Sequence, residues 1–103
     1  MESVAILGAT GSIGKSSLDV ISRYPDRFTV YAVTANSSVK KLAQAAKDSG
    51  AKVAVIADKE LLGALQDELK AAGSRAQALA GAKAIDEIAS SPEVDIVIGA
   101  IVG

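Results

Sequence analysis

The sequence predicts an α/β fold, a doubly wound parallel sheet with helices on both faces. Three observations predict it. Short apolar runs alternate with amphipathic, helix-like stretches along the chain, with connections long enough for parallel crossovers. The runs are near-continuously aliphatic, as strands buried on both faces require. The first of them, Val4-Ala5-Ile6-Leu7, breaks directly into Gly8-Ala9-Thr10-Gly11-Ser12-Ile13-Gly14, a glycine-spaced turn that opens a helix.

The elements follow in order. Residues 3–8 form the first strand. Residues 12–23 carry Ile13, Ser17, Leu18, Val20 and Ile21 as a helical stripe, with Asp19 and Arg23 spaced i,i+4 for an ion pair. Pro25 restricts Tyr24 and stops this helix. Residues 28–34, Phe-Thr-Val-Tyr-Ala-Val-Thr, are β-branched and aromatic and form the second strand. Asn36, Ser37 and Ser38 supply cap chemistry for a helix through Val39, Leu42, Ala43 and Ala46, with Gly50 as its stop. Residues 52–57 form the third strand. Residues 59–71 form a third helix with Leu61, Leu62, Leu65 and Leu69 inward and Gly73 as its stop. Residues 76–79 are an edge strand, 82–90 a fourth helix, and 94–102 the last strand.

Composition narrows the function. The chain of 103 residues suits one domain. Half of it is hydrophobic, but only Tyr24, Phe28 and Tyr31 are aromatic, so the core is aliphatic. A net charge of −1 without a basic tract argues against a nucleic-acid partner. Cysteine and histidine are absent, which excludes a disulfide framework, a thiolate metal site and a histidine base. Met1-Glu2-Ser3 lacks the basic start of a signal peptide, and no apolar run reaches membrane-spanning length. These features predict a soluble cytoplasmic domain with no membrane partner. Ending on the apolar strand 94–102 is an odd terminus for a domain, and it predicts a fragment truncated at its C-terminal side.

Two readings of the glycine turn compete as ligand sites. A helix start offers free backbone N–H groups and partial positive charge. Glycines let a pyrophosphate approach the backbone closely. The spacing here is G-x-x-G-x-x-G, against the G-x-G-x-x-G of the dinucleotide fingerprint. A strand before it, a helix after it and a second strand about twenty residues on support a dinucleotide turn. Residues 9–16, Ala-Thr-Gly-Ser-Ile-Gly-Lys-Ser, also resemble a P-loop, with Ala9 where that pattern wants glycine. On that reading Asp58, behind Val53-Ala54-Val55-Ile56-Ala57, would hold magnesium. On the dinucleotide reading Lys15 and Ser16 are first-turn residues facing solvent. A turn with no ligand is the third possibility.

The end of the second strand bears on the cofactor. NAD enzymes carry an acid there for the ribose 2′-hydroxyl. Here Val33-Thr34-Ala35-Asn36-Ser37-Ser38 has none. Hydroxyls, helix-start N–H groups and the nearby Lys40 and Lys41 would accept a 2′-phosphate, which favours NADP. Asn36, Ser37 and Ser38 could equally be plain caps. The acidic neighbours Asp67-Glu68, Asp86-Glu87 and Glu93/Asp95 point apart and read as a solvated face. Lys83–Glu87 and Asp67–Lys70 read as surface pairs. Arg75 could meet a cofactor phosphate or be an ordinary loop arginine. No nucleophile has a partner base.

Taken together, Ile6-Leu7-Gly8-Ala9-Thr10-Gly11-Ser12-Ile13-Gly14, Ser16, Leu18-Asp19-Val20, Pro25 and Phe28 resemble the start of the 1-deoxy-D-xylulose 5-phosphate reductoisomerase family. Gly73-Ser74-Arg75 and Ala100-Ile101-Val102-Gly103 match it as well. The likeness spans the whole chain, but only the N-terminal, Rossmann-like NADPH-binding part of that family. It implies an NADPH-dependent oxidoreductase of the methylerythritol phosphate route to isoprenoids. There, 1-deoxy-D-xylulose 5-phosphate rearranges to an aldehyde that is reduced to 2-C-methyl-D-erythritol 4-phosphate, with a divalent metal (Mg or Mn) on the substrate oxygens.

By position, the resemblance places Thr10, Gly11, Ser12 and Ile13 at the pyrophosphate, with Gly8 and Gly14 completing the turn. It places Asn36, Ser37 and Ser38 at the 2′-phosphate. Family members often carry glycine, a basic residue and asparagine there, so the match is imperfect. Ala100 to Gly103 would end the last strand beside the cofactor. The metal ligands, the sugar-phosphate site and the mobile loop fall beyond Gly103. The chain alone is therefore expected to bind NADPH without turnover, and the parent enzyme to be a homodimer. Another NADP-binding reductase, a nucleotide-sensing domain and a P-loop protein remain alternatives.

Overall fold

Each aliphatic run is a strand and each amphipathic stretch a helix across residues 1–99, which the computed structural model describes. The order is β1 (Glu2–Leu7), α1 (Ser12–Ser22), β2 (Phe28–Ala35), α2 (Val39–Ser49), β3 (Val53–Ile56), a 3-10 turn (Lys59–Leu61), α3 (Leu62–Ala72), β4 (Gln77–Ala80), α4 (Ala82–Ala89) and β5 (Ile96–Gly99). The five strands form one sheet in the order β4-β3-β2-β1-β5, and every pairing is parallel. The first three crossovers step one way across the sheet. The fourth returns past them to the far side of β1. The order therefore reverses between β1 and β5, the switch point at which open α/β sheets bind ligands beyond their strand C-termini.

Helices lie on both faces, as the alternation predicts. On one face Val4, Ile6, Val33, Ala54 and Ile56 pack against Ile21 of α1, Leu42, Ala43 and Ala46 of α2, and Leu65 and Leu69 of α3. On the other, Ala5, Ala32, Val53 and Val55 pack against Ile88 of α4. The largest fully buried side chains include Ile6, Leu42, Ile56 and Leu65, each contributing about 1.5–3 kcal/mol by leaving water. The alanines at helix–sheet contacts bring backbones close without aromatic bulk. Gly50 and Gly73 end α2 and α3 in the left-handed conformation.

Four expectations need correction. The third helix is not continuous: the Asp58 carboxylate accepts the Glu60 N–H at 3.0 Å, tightening residues 59–61 into a 3-10 turn before α3 begins. The stripe on α1 is broken, because Ile13 is 56% and Val20 52% exposed, and only Gly14 and Ile21 are buried there. Both exposed residues line an apolar groove of about 560 Å3 with Phe28, Ile96 and Ile98. The last strand is not buried on both faces over its described part. Val97 is 42% exposed, and Ile96 and Ile98 are half-buried, since β5 pairs with β1 along one edge; residues 100–102 of that expected strand lie outside the described residues. Finally, Lys83–Glu87 and Asp67–Lys70 form no ion pair. Among the described residues Arg23–Asp19, at 2.8 Å, is the salt bridge.

The β1–β2 ladder contains a feature that alternation does not reveal. Val4 lies level with Val30, but Ala5 lies level with Ala32. One extra residue therefore enters β2 at Tyr31.

Candidate nucleotide-binding site

The site is built where β1, β2 and β5 end. Leu7, the last residue of β1, is level with Gly99 of β5. Between β1 and α1 lie only Gly8, Ala9, Thr10 and Gly11. Gly8 turns the chain with φ 84°, a left-handed conformation that costs other residues about 1–2 kcal/mol. Gly14 serves packing. It is buried, and a Cβ there would sit 2.6 Å from Ala9 Cα and still closer to the Gly8 carbonyl. Gly11 is different, because a Cβ would meet nothing nearer than Gly8 O at 3.8 Å. That space lies open above the helix start.

Thr34 anchors this turn. Its carbonyl accepts the N–H of Gly8 at 3.2 Å and of Ala9 at 2.8 Å, and its Oγ1 accepts the Gly8 N–H at 3.1 Å. It is the one buried polar residue among those described, 1% exposed. The residue went unnoticed in the sequence because a threonine in a β-branched strand needs no special explanation. Its signal was position: a hydroxyl one residue before the strand end, beside a turn with amides to satisfy.

The N–H groups of Ser12, Ile13 and Gly14 find no acceptor within the described protein, while Lys15 N–H bonds the Gly11 carbonyl at 2.9 Å. The N-cap Gly11 provides no side-chain bond. Three amides therefore converge at the positive end of α1, beside exposed or half-exposed Thr10, Gly11, Ser12 and Ile13.

The second helix start lies on the same edge. Asn36, Ser37 and Ser38 are exposed, and the expectation that they cap α2 through side chains is not met. Ser38 has φ −82° and ψ 78° and makes no side-chain cap bond; that ψ is well short of the extended geometry that turns a cap hydroxyl onto the following amides. Backbone contacts stand in: Val39 N–H donates to Ser37 O at 3.0 Å and Leu42 N–H to Ser38 O at 2.9 Å. The N–H groups of Lys40 and Lys41 have no acceptor among the described residues. Asp58 N–H donates to Asn36 O at 3.3 Å, fixing the loop to the end of β3.

The structure thus brings Gly8, Thr10, Gly11, Ser12, Ile13 and Gly14 to one helix start, with Asn36, Ser37 and Ser38 at the next. Ala100 lies outside the described residues. Arg75, between α3 and β4, follows a helix end at the opposite edge of the sheet. The P-loop reading fails on geometry. Residues 12–14 are already helical, so no long loop is left to wrap a phosphate, and Asp58 is spent on capping. Among the described residues no three His, Cys, Asp or Glu side chains cluster to hold a metal, and no helix is long and apolar enough to cross a membrane.

The family model of 1-deoxy-D-xylulose 5-phosphate reductoisomerase matches residues 4–103. The chain belongs to the 1-deoxy-D-xylulose 5-phosphate reductoisomerase family. The reductoisomerase of Cellvibrio japonicus (strain Ueda107) is 47% identical over 102 residues, covering 99% of this chain and 26% of the relative. Among solved structures, the Zymomonas mobilis reductoisomerase in complex with NADPH matches with TM-score 0.89 and 51% identity, over 99% of this chain and 26% of that one. A DOX-P reductoisomerase in complex with NADPH, fosmidomycin and magnesium matches with TM-score 0.90 and 38% identity, over 100% of this chain and 25% of that one. The chain thus spans about a quarter of the length of the reductoisomerases it matches. The fold and family expected from the sequence are those found.

Proposed function

We propose that this chain is the NADPH-binding domain of an enzyme that converts 1-deoxy-D-xylulose 5-phosphate to 2-C-methyl-D-erythritol 4-phosphate. The observation that carries the reading is the set of unclaimed amides of Ser12, Ile13 and Gly14 under the open space at Gly11, at the sheet's switch point. A pyrophosphate fits there. Its oxygens take the three N–H groups and the helix dipole, and Gly11 lets it come close. Thr10 borders the same space, and Gly8 and Gly14 fix the turn's shape. The ribose extends toward Asn36, Ser37 and Ser38, where no carboxylate repels a 2′-phosphate.

NADPH would supply the reducing power for the aldehyde intermediate. The chain's residues bind and orient it. The divalent metal and the sugar phosphate are held, on this reading, by parts of the family protein that the chain does not carry. The working enzyme is a cytoplasmic homodimer, and this chain alone binds cofactor without turning over substrate.

Thermal unfolding with NADPH, and with ATP plus magnesium, tests the reading. Saturating NADPH is expected to raise Tm, by about 2.7 kcal/mol of linkage at a hundred times Kd, while ATP leaves it unchanged. Stabilisation by ATP, or by neither nucleotide, would overturn it.

A further inference from the structure

The loop that would meet the 2′-phosphate, Asn36-Ser37-Ser38, carries no cation. A 2′-phosphate is close to a dianion, and hydroxyls alone read it weakly. A cleft of about 410 Å3 between α1 and α2 supplies the charge. Thr10, Lys15 and Lys41 line one end of it, and Asp19 and Asp48 the other. Both acids are engaged: Asp19 pairs with Arg23 at 2.8 Å, and Asp48 accepts from Gln44 Nε2 at 2.9 Å. Neither lysine forms an ion pair among the described residues. The cleft is therefore basic at the sheet's C-terminal edge and acidic away from it.

That arrangement opposes what folding favours. Helix stability calls for acids in the first turn and cations in the last. Neither α1 nor α2 has an acid in its first turn, and the opening of α2 carries Lys40 and Lys41 instead. Cations placed against two positive helix ends are explained by an anion between them. The Lys59 stem, by contrast, packs where a Cβ on Gly81 would stand.

We propose that Lys41 is the residue that selects NADPH over NADH. It acts from the first turn of α2, across the cleft from Thr10, and takes over the charge that the Asn36–Ser38 loop lacks. The inference rests on the NADPH reading above. Its test is the pair of dissociation constants for NADPH and NADH, measured by nucleotide fluorescence on the chain and its variants. Lys41→Gln is expected to weaken NADPH about tenfold, as loss of one charge-assisted contact does, and to leave NADH within twofold. Lys41→Arg restores most of the preference. Lys47→Gln, in the last turn of the same helix, removes the same net charge from a side chain that runs toward Gly73, away from the basic end of the cleft, and leaves both constants unchanged. An unaltered NADPH-to-NADH ratio in Lys41→Gln, or a larger loss in Lys40→Gln, overturns the proposal. A native chain that binds neither nucleotide overturns the NADPH reading instead.

Discussion

The two helix starts at the C-terminal edge of the sheet make an instructive pair. Both lack a side-chain cap, both lack a first-turn acid, and both leave amides free. At α1 the site is mainly backbone: glycines set the turn and a buried threonine pins it. At α2 the site is side chains: an open polar loop followed by two lysines. The difference matches what the proposed NADPH site asks of each. A pyrophosphate is common to NADH and NADPH, so rigid amides suffice for it. The 2′-phosphate is what separates the two cofactors, and side-chain charge can be placed to read it.

The largest way to break this comparison is at Gly14. Gly14→Ala drives a methyl into the Ala9 and Gly8 backbone and should cost about 3 kcal/mol or more, seen as a collapsed Tm before any binding is measured. Gly11→Ala is its counterpart. The space there is open, so Tm should hold while NADPH and NADH weaken together by at least about tenfold, from the loss of close amide contact. Equal damage to folding in both variants would show that the turn is purely structural.

At the second helix start, Ser37→Asp should weaken NADPH by about tenfold and spare NADH, because a carboxylate repels a phosphate. Isothermal titration with both nucleotides reads this directly, and a parallel loss for both would place the 2′-phosphate elsewhere. The smallest effect is expected at the anchor. Thr34→Val removes one hydrogen bond to the Gly8 N–H, but the Thr34 carbonyl still accepts that proton. A loss of about 1 kcal/mol is expected, a shift of roughly 4–8 °C in Tm for a domain of this size.

The fold was largely legible because each strand is an aliphatic run and each helix ends on a recognisable stop such as Gly50 or Gly73. The glycine turn was legible for the same local reason. What was not legible depended on partners distant in sequence. Ile13 and Val20 fit a helical stripe, yet whether a stripe is covered depends on what lies opposite, and here they border an open groove. Ser38 has the composition of a cap but not the backbone angle. Thr34 gains its role only when the turn folds over it. Lys41 was distinguishable from Lys40 only once α1 and α2 were seen to share a cleft.

The extra residue in β2 has a consequence for reach. Because of it, Ile6 stands level with Val33; with unbroken register it would stand level with Ala32. Each strand residue advances the chain about 3.3 Å, so the irregularity lowers the end of β2 by that distance relative to the glycine turn. It takes up the extra residue without moving the two helix starts against each other. A cofactor gripped at both ends is a ruler of fixed length. Deleting Tyr31 would remove only the irregularity: Ala5 would stay level with Ala32 and Ile6 with Val33, so the proposed grips would keep their spacing.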